Sequence, residues 1–134
     1  MSAFYRDAHN HLTIDGMPLD RLMGEFGSPL YVYSGAGLER ACTAFQAAVA
    51  PVAGKVHFAL KANSALGVIA LLARCGAGAD IVSAGELARA LAAGIAAKDV
   101  VFSGVGKRPA DIRTALAAGI GQINAESVGE LAQI

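Results

Sequence analysis

The stretch Val56-His57-Phe58-Ala59-Leu60-Lys61-Ala62-Asn63 decides how the chain is read. Its apolar run is short enough for one strand. It ends on a single lysine, and small polar residues follow at once. Side chains on a strand alternate between faces. Val56, Phe58 and Leu60 therefore share one face, and His57, Ala59 and Lys61 share the other. The bulky set suits a helix layer. The second set is small in its middle, at Ala59, and carries an amine at its C-terminal end.

The same plan recurs downstream. The pattern predicts strands over 56–60, 79–82, 99–102 and 121–124. It predicts helices over 66–74, 84–93 and 109–118, and a fourth starting near Ser127. Three helices end in related words: Leu72-Ala73-Arg74-Cys75-Gly76, Leu91-Ala92-Ala93-Gly94 and Leu116-Ala117-Ala118-Gly119. Each glycine suits the left-handed position just past a helix end. Single helices between strands imply a parallel sheet with right-handed crossovers. The even spacing of the strands favours a (β/α)8 TIM barrel over an open sheet. Four such units, against a barrel of about 250 residues, predict an N-terminal fragment: the first half of an α/β barrel.

Residues 1–30 lack this period and read as part of a second subdomain or as an arm. His11-Leu12-Thr13-Ile14, Asp15-Gly16 and Met17-Pro18-Leu19 predict a strand, a tight turn and a short return. Asp20 is placed to cap a helix over 21–26 that stops at Gly27. Leu30-Tyr31-Val32-Tyr33 has strand composition. A turn over 34–37 and a helix over 38–50 follow, with Leu38, Cys42, Phe45 and Val49 at helical spacing.

Composition narrows the function classes. The 134 residues carry 11 Lys+Arg against 11 Asp+Glu, so no excess of positive charge points to nucleic acid or to an anionic membrane. The longest apolar run, 65–73, is closed by Arg74 and is too short to span a membrane. The first residues, Met1-Ser2-Ala3-Phe4-Tyr5-Arg6-Asp7, lack a secretory pattern. Cys42 and Cys75 read as free, buried thiols of a reducing compartment, so the cytoplasm is the expected location. His9, His11 and His57 have no metal-ligand spacing, and no metal is expected. His57 reads as a packed, hydrogen-bonded side chain.

Barrel active sites lie at the C-terminal mouth of the strands. Lys61, held there and partly desolvated, would have a lowered pKa and could attack carbonyl carbon. The plain alternative is a strand-end lysine whose amine reaches water. Asp80 is a carboxylate in an otherwise apolar strand, so it needs a partner if buried. Its alternative is a strand-start acid that accepts turn hydrogen bonds. Ser83-Ala84-Gly85-Glu86 has the form of a capping box, which Ser127-Val128-Gly129-Glu130 repeats. That repetition favours a structural role for both glutamates. Ser103-Gly104-Val105-Gly106-Lys107 lacks phosphate-loop spacing and reads as a loop shaping the mouth, with Pro109 at the next helix start and Lys107 as a solvated charge.

Four ordered motifs carry a resemblance. They are Phe58-Ala59-Leu60-Lys61-Ala62-Asn63 with Val68-Ile69, Leu72 and Gly76; the run 76–87 containing Gly76-Ala77-Gly78-Ala79-Asp80; Val101-Phe102-Ser103-Gly104-Val105-Gly106-Lys107; and Ile123-Asn124-Ala125-Glu126-Ser127. Together, from about residue 11 to 134, the chain resembles the ornithine/diaminopimelate/arginine decarboxylase family, whose barrel is alanine-racemase-like. The resemblance implies pyridoxal 5'-phosphate as cofactor, attached through Lys61, with Asp80 as an acid near that lysine and Glu86 as an acid near the mouth. It implies that residues 1–30 feed a β-domain and that residues 31–134 form the first part of the barrel. The phosphate-gripping glycines are expected beyond residue 134. The wording is most similar to the bacterial diaminopimelate branch, which implies decarboxylation of meso-2,6-diaminopimelate to L-lysine by a homodimer with small-molecule amino-acid substrates. The alternatives are an ornithine or arginine decarboxylase, a racemase, or an inactive fragment or non-catalytic cofactor-binding protein.

Overall fold

The computed structural model describes residues 3–134 and divides into two compact units, residues 1–41 and 42–134. Met1 and Ser2, which open the stretch read above for a secretory pattern, lie outside the described residues.

In the first unit, β1 (Phe4–Arg6), β2 (Leu12–Ile14) and β3 (Met17–Pro18) form an antiparallel sheet in sequence order. The hairpin at Asp15-Gly16 appears as the sequence predicts, with Ile14 opposite Met17. β1 has no strong pattern of its own and is set by pairing Phe4 with Ile14. Helix α1 (Leu19–Phe26) ends at Gly27, whose N–H donates to the Met23 carbonyl. Asp20 is not its cap. Pro18 holds that position, and Asp20 lies in the first turn, accepting from the Arg21 N–H at 2.9 Å.

Two expectations fail in the next stretch. Residues 30–33 form no strand, because none of the described residues hydrogen-bonds beside them, and Tyr31 is 88% exposed. The residues expected to be a turn instead open helix α2 (Gly35–Val49). The reason lies nineteen residues upstream. Ser34 Oγ accepts from the Gly37 N–H at 2.8 Å and donates to Asp15 Oδ1 at 2.7 Å, while Asp15 Oδ2 accepts from the Ala36 N–H at 3.2 Å. The hairpin turn thus satisfies helix-start donors that would otherwise be unpaired. The Ser34 hydroxyl, helped by the Ala36 and Gly35 N–H groups, holds the Asp15 carboxyl below the usual carboxylate range.

The second unit contains a four-stranded parallel sheet, β4 (His57–Ala59), β5 (Gly78–Ile81), β6 (Val100–Phe102) and β7 (Gln122–Ile123), in sequence order. The crossovers carry α3 (Leu66–Arg74), α4 (Ala84–Ala92) and α5 (Pro109–Ala118), and α6 (Val128–Leu131) follows β7. Register fixes which side chains share a face. Phe58 lies beside Ala79 and Val100, and Ile81 beside Phe102 and Ile123. This face is the core. Ala79, Ile81, Val100 and Phe102 are fully buried with Ile69 of α3, Leu87 and Ala90 of α4, and Ala115 of α5. Each large aliphatic or aromatic side chain so buried contributes roughly 1.5–3 kcal/mol. All three helices therefore cover one face of a sheet whose strands follow in order. That is the wall of a barrel and not a doubly wound sheet.

The opposite face lines up His57 with Gly78, and Ala59 with Asp80, Val101 and Gln122. Gly78 is required by close approach. A Cβ there would stand 2.4 Å from the Asp99 carbonyl and 2.5 Å from the His57 ring. The glycines after α3, α4 and α5 have φ of 87°, 93° and 71°, as their helix-ending words predict. Cys42 is buried and Cys75 half-buried, both as free thiols.

Two outcomes are expected. Gly78→Ala should destabilise the protein by about 1–3 kcal/mol, read as a lower urea midpoint, because backbone and a ring must move to admit the methyl group; an unchanged midpoint would contradict the packing. The depressed Asp15 carboxyl contributes stability that is present above an unfolded pKa of about 3.9 and is lost as pH falls through its lower folded value. The thermal midpoint of the parent should therefore exceed that of Asp15→Asn by a constant gap near neutrality, and the gap should close on acidification below about pH 4.

Candidate active site

The mouth of the sheet begins where β4 ends. The strand stops at Ala59, and Leu60–Ala62 turn as one 3-10 turn, so Lys61 follows the strand without belonging to it. Leu60 points into the core and is fully buried, which leaves Lys61 exposed. The desolvation expected of this lysine is not supplied by the residues present. Its amine makes no ion pair or hydrogen bond among the described residues. Asn63 Oδ1 accepts from the Ala65 N–H at 3.0 Å and turns the chain into α3. Arg89 of α4 reaches back and donates to the Ser64 carbonyl at 3.1 Å, fastening the Lys61 loop to the helix after the next strand.

Asp80 lies in register with Ala59, two residues before Lys61. Its Oδ1 is buried with no hydrogen-bond partner. The sequence demanded a partner for a buried carboxylate, and the chain leaves one oxygen without it. A buried acceptor of this kind costs free energy unless something donates to it. On that face Ala59 flanks Asp80 on one side and Val101 on the other, and the His57 ring packs against Gly78, two residues earlier on the same strand. An exposed primary amine and an unsatisfied carboxylate oxygen beside the small Ala59 side chain fit a flat, aldehyde-bearing cofactor.

Glu86 is committed on one side. Ser83 Oγ accepts from the Glu86 N–H at 3.2 Å, and Glu86 Oε2 accepts from the Val82 N–H at 2.7 Å. The reciprocal cap is the one the sequence predicts, reaching one residue further back. At α6 the same arrangement returns: Ser127 Oγ accepts from the Glu130 N–H at 3.1 Å, and Glu130 Oε2 accepts from the Glu126 N–H at 2.7 Å.

Lys107 corrects the sequence reading. Its side chain is 1% exposed, not solvated. The ammonium donates to the Gly104 and Asn124 carbonyls, each at 2.7 Å, and to Glu130 Oε1 and Oε2 at 3.1 and 3.2 Å. It also lies 5.6 Å from the centre of the Phe102 ring. Three donors meet enough acceptors, which is the condition for burying an ammonium. The Glu126 N–H first, and then Lys107, hold the Glu130 carboxyl below its usual range. The available signals were the second capping box, which buries Glu130, and Gly104 and Gly106, whose positive φ of 85° and 77° folds the loop so that Lys107 turns inward. Asp111 of α5 is a further missed link. The Arg108 guanidinium, which donates to both of its carboxylate oxygens at 2.7 and 2.9 Å, holds its pKa below the usual carboxylate range.

Residues 36–134 match the family model described as the pyridoxal binding domain of pyridoxal-dependent decarboxylases. The diaminopimelate decarboxylase of Pseudomonas aeruginosa is 51% identical over 97% of this chain, which spans 31% of that protein. That of Haemophilus influenzae is 47% identical over 98% of this chain, which spans 32% of it. The crystal structure of diaminopimelate decarboxylase from M. jannaschii in co-complex with L-lysine superposes with a TM-score of 0.87 and 32% identity, covering 99% of this chain and 32% of that one. The chain thus spans about a third of the length of the curated relatives it matches. The matched stretch takes in the whole parallel sheet and the Lys61 mouth, and the chain belongs to the pyridoxal-dependent decarboxylases, of whose pyridoxal-binding barrel it forms a part.

Proposed function

We propose that this chain supplies the cofactor-anchoring part of a pyridoxal-phosphate-dependent decarboxylase that converts meso-2,6-diaminopimelate to L-lysine and carbon dioxide. The observation that carries the reading is the free Lys61 amine above a sheet face that holds the unsatisfied Asp80 Oδ1. The relatives named above support the substrate.

Lys61 Nζ is the covalent attachment point for the cofactor aldehyde. Lys61 Nζ, when not holding the cofactor, would carry a proton and could deliver it to the substrate's α-carbon in place of the departed carboxylate. Asp80 Oδ1 would accept a hydrogen bond from the ammonium or from the bound cofactor, which would remove the cost of its burial. Glu86 takes part only through Oε1, since Oε2 serves the cap. The chemistry such a cofactor supplies when bound is an electron sink for the pair left as carbon dioxide departs. Residues 1–30 feed a separate β-domain, and residues 31–134 belong to the barrel. The working enzyme is a cytoplasmic homodimer. No helix of the described residues is long and apolar enough to cross a membrane.

The test uses a polypeptide that carries this chain together with the remaining two thirds found in its relatives. Borohydride reduction in the presence of pyridoxal phosphate should fix cofactor mass on the peptide containing Lys61. Lys61→Ala should lose both the label and, by at least about 10²–10⁴-fold, carbon dioxide release from meso-diaminopimelate. Label on another lysine, or turnover of ornithine or arginine in preference, would sink the assignment. Asp80→Asn should keep the parent's thermal midpoint or raise it, because Oδ1 loses no bond, while cofactor is retained less well on dialysis.

A further inference from the structure

The loops after β6 and β7 share one buried cation, and what they present at the mouth follows from it. The Ser103 N–H donates to the Ile81 carbonyl at 2.8 Å, and the Asn124 N–H donates to the Phe102 carbonyl at 2.9 Å. These bonds extend the parallel ladder one step beyond the strands. By strand alternation Ser103 follows Val101, and Asn124 follows Gln122, on the face that bears Asp80. There Asn124 Nδ2 donates to Ser103 Oγ at 3.1 Å, and Gln122 Nε2 donates to Asn124 Oδ1 at 2.6 Å. The main-chain carbonyl of the same Asn124 is the one that Lys107 grips. Its other anchors are the Gly104 carbonyl, one residue past Ser103, and Glu130 at the start of α6.

We infer that Lys107 is a positioning residue: from the packed side of the wall it fixes Asn124 and Ser103, so that their polar pair orients the substrate's charged groups at the mouth. This rests on the decarboxylase reading above. Lys107 touches no ligand position, because its three donors are already spent inside the protein. Without the cation, two glycine-hinged or short loops lose their common anchor, and the Glu130 carboxylate is left facing two carbonyls. A misplacement of about 1 Å at such a site costs on the order of 10²-fold in rate.

The test again uses the full-length polypeptide. Lys107→Met should retain pyridoxal phosphate while kcat/KM falls by about 10–100-fold. Asn124→Ala should show a similar loss, and combining the two should cost little more than either, since both act through one pair. In Lys107→Met, amide hydrogen exchange should quicken at 103–107 and at 124–127 together. Kinetics within about twofold of the parent, multiplied losses, or exchange that quickens in only one loop overturns the inference. If Lys107→Met does not fold, Ser103→Ala/Asn124→Ala decides: it leaves Lys107 and the carbonyls in place, so parent-like kcat/KM overturns the inference, and a loss at unchanged thermal midpoint supports it. A parent that releases no carbon dioxide defeats the decarboxylase reading instead, and the exchange measurement still decides whether Lys107 couples the loops.

Discussion

Period-two alternation is the constraint on which the second unit depends. It sends Phe58, Ala79, Ile81, Val100 and Phe102 to one face and Ala59, Asp80, Val101 and Gln122 to the other. The first set packs under α3, α4 and α5, fully buried except for the half-buried Phe58, and the second set faces away from those helices. A slip of one residue in β5 would put the Asp80 carboxylate under a helix and Ile81 on the opposite face. Core and site are therefore specified by one feature, and Lys61 gains its place because the chain turns immediately after the alternation ends.

The mouth is held by contacts within the second unit that run from a helix back to an earlier loop. Arg89 of α4 fastens the carbonyl of Ser64 in the Lys61 loop. Lys107 and Glu130 join the loop before α5 to the start of α6. The loop before α3 and the loop before α5 thus each have a side-chain partner on a following helix. Loops that carry functional groups are the parts of a fold with least packing to restrain them, and here polar side chains of the next helix or loop supply the restraint.

Asp80 and Lys107 show two solutions to the burial of charge. Lys107 is surrounded by acceptors, and its burial is compensated within the chain. Asp80 keeps an oxygen without a donor, on the face that the helices do not cover. The compensated charge is satisfied by the chain itself, and the uncompensated one is the oxygen for which the proposed cofactor site would supply a donor.

The sequence alone determined the parallel repeat, the helix-ending glycines at 76, 94 and 119, both capping boxes, the sidedness of the strands and the lysine at the mouth. All of these are local: they depend on period, on φ, or on hydrogen bonds spanning three or four residues. Tertiary structure decided what needed a distant partner. Residues 30–33 have strand composition but no neighbour to pair with. Helix α2 begins early because Asp15 supplies its cap from another element. Lys107 is buried because Asn124 and Glu130 converge on it, although its own neighbours in sequence are those of a solvated loop. Composition expresses the preference of a segment, while pairing, capping and burial are settled by whatever the fold brings alongside it.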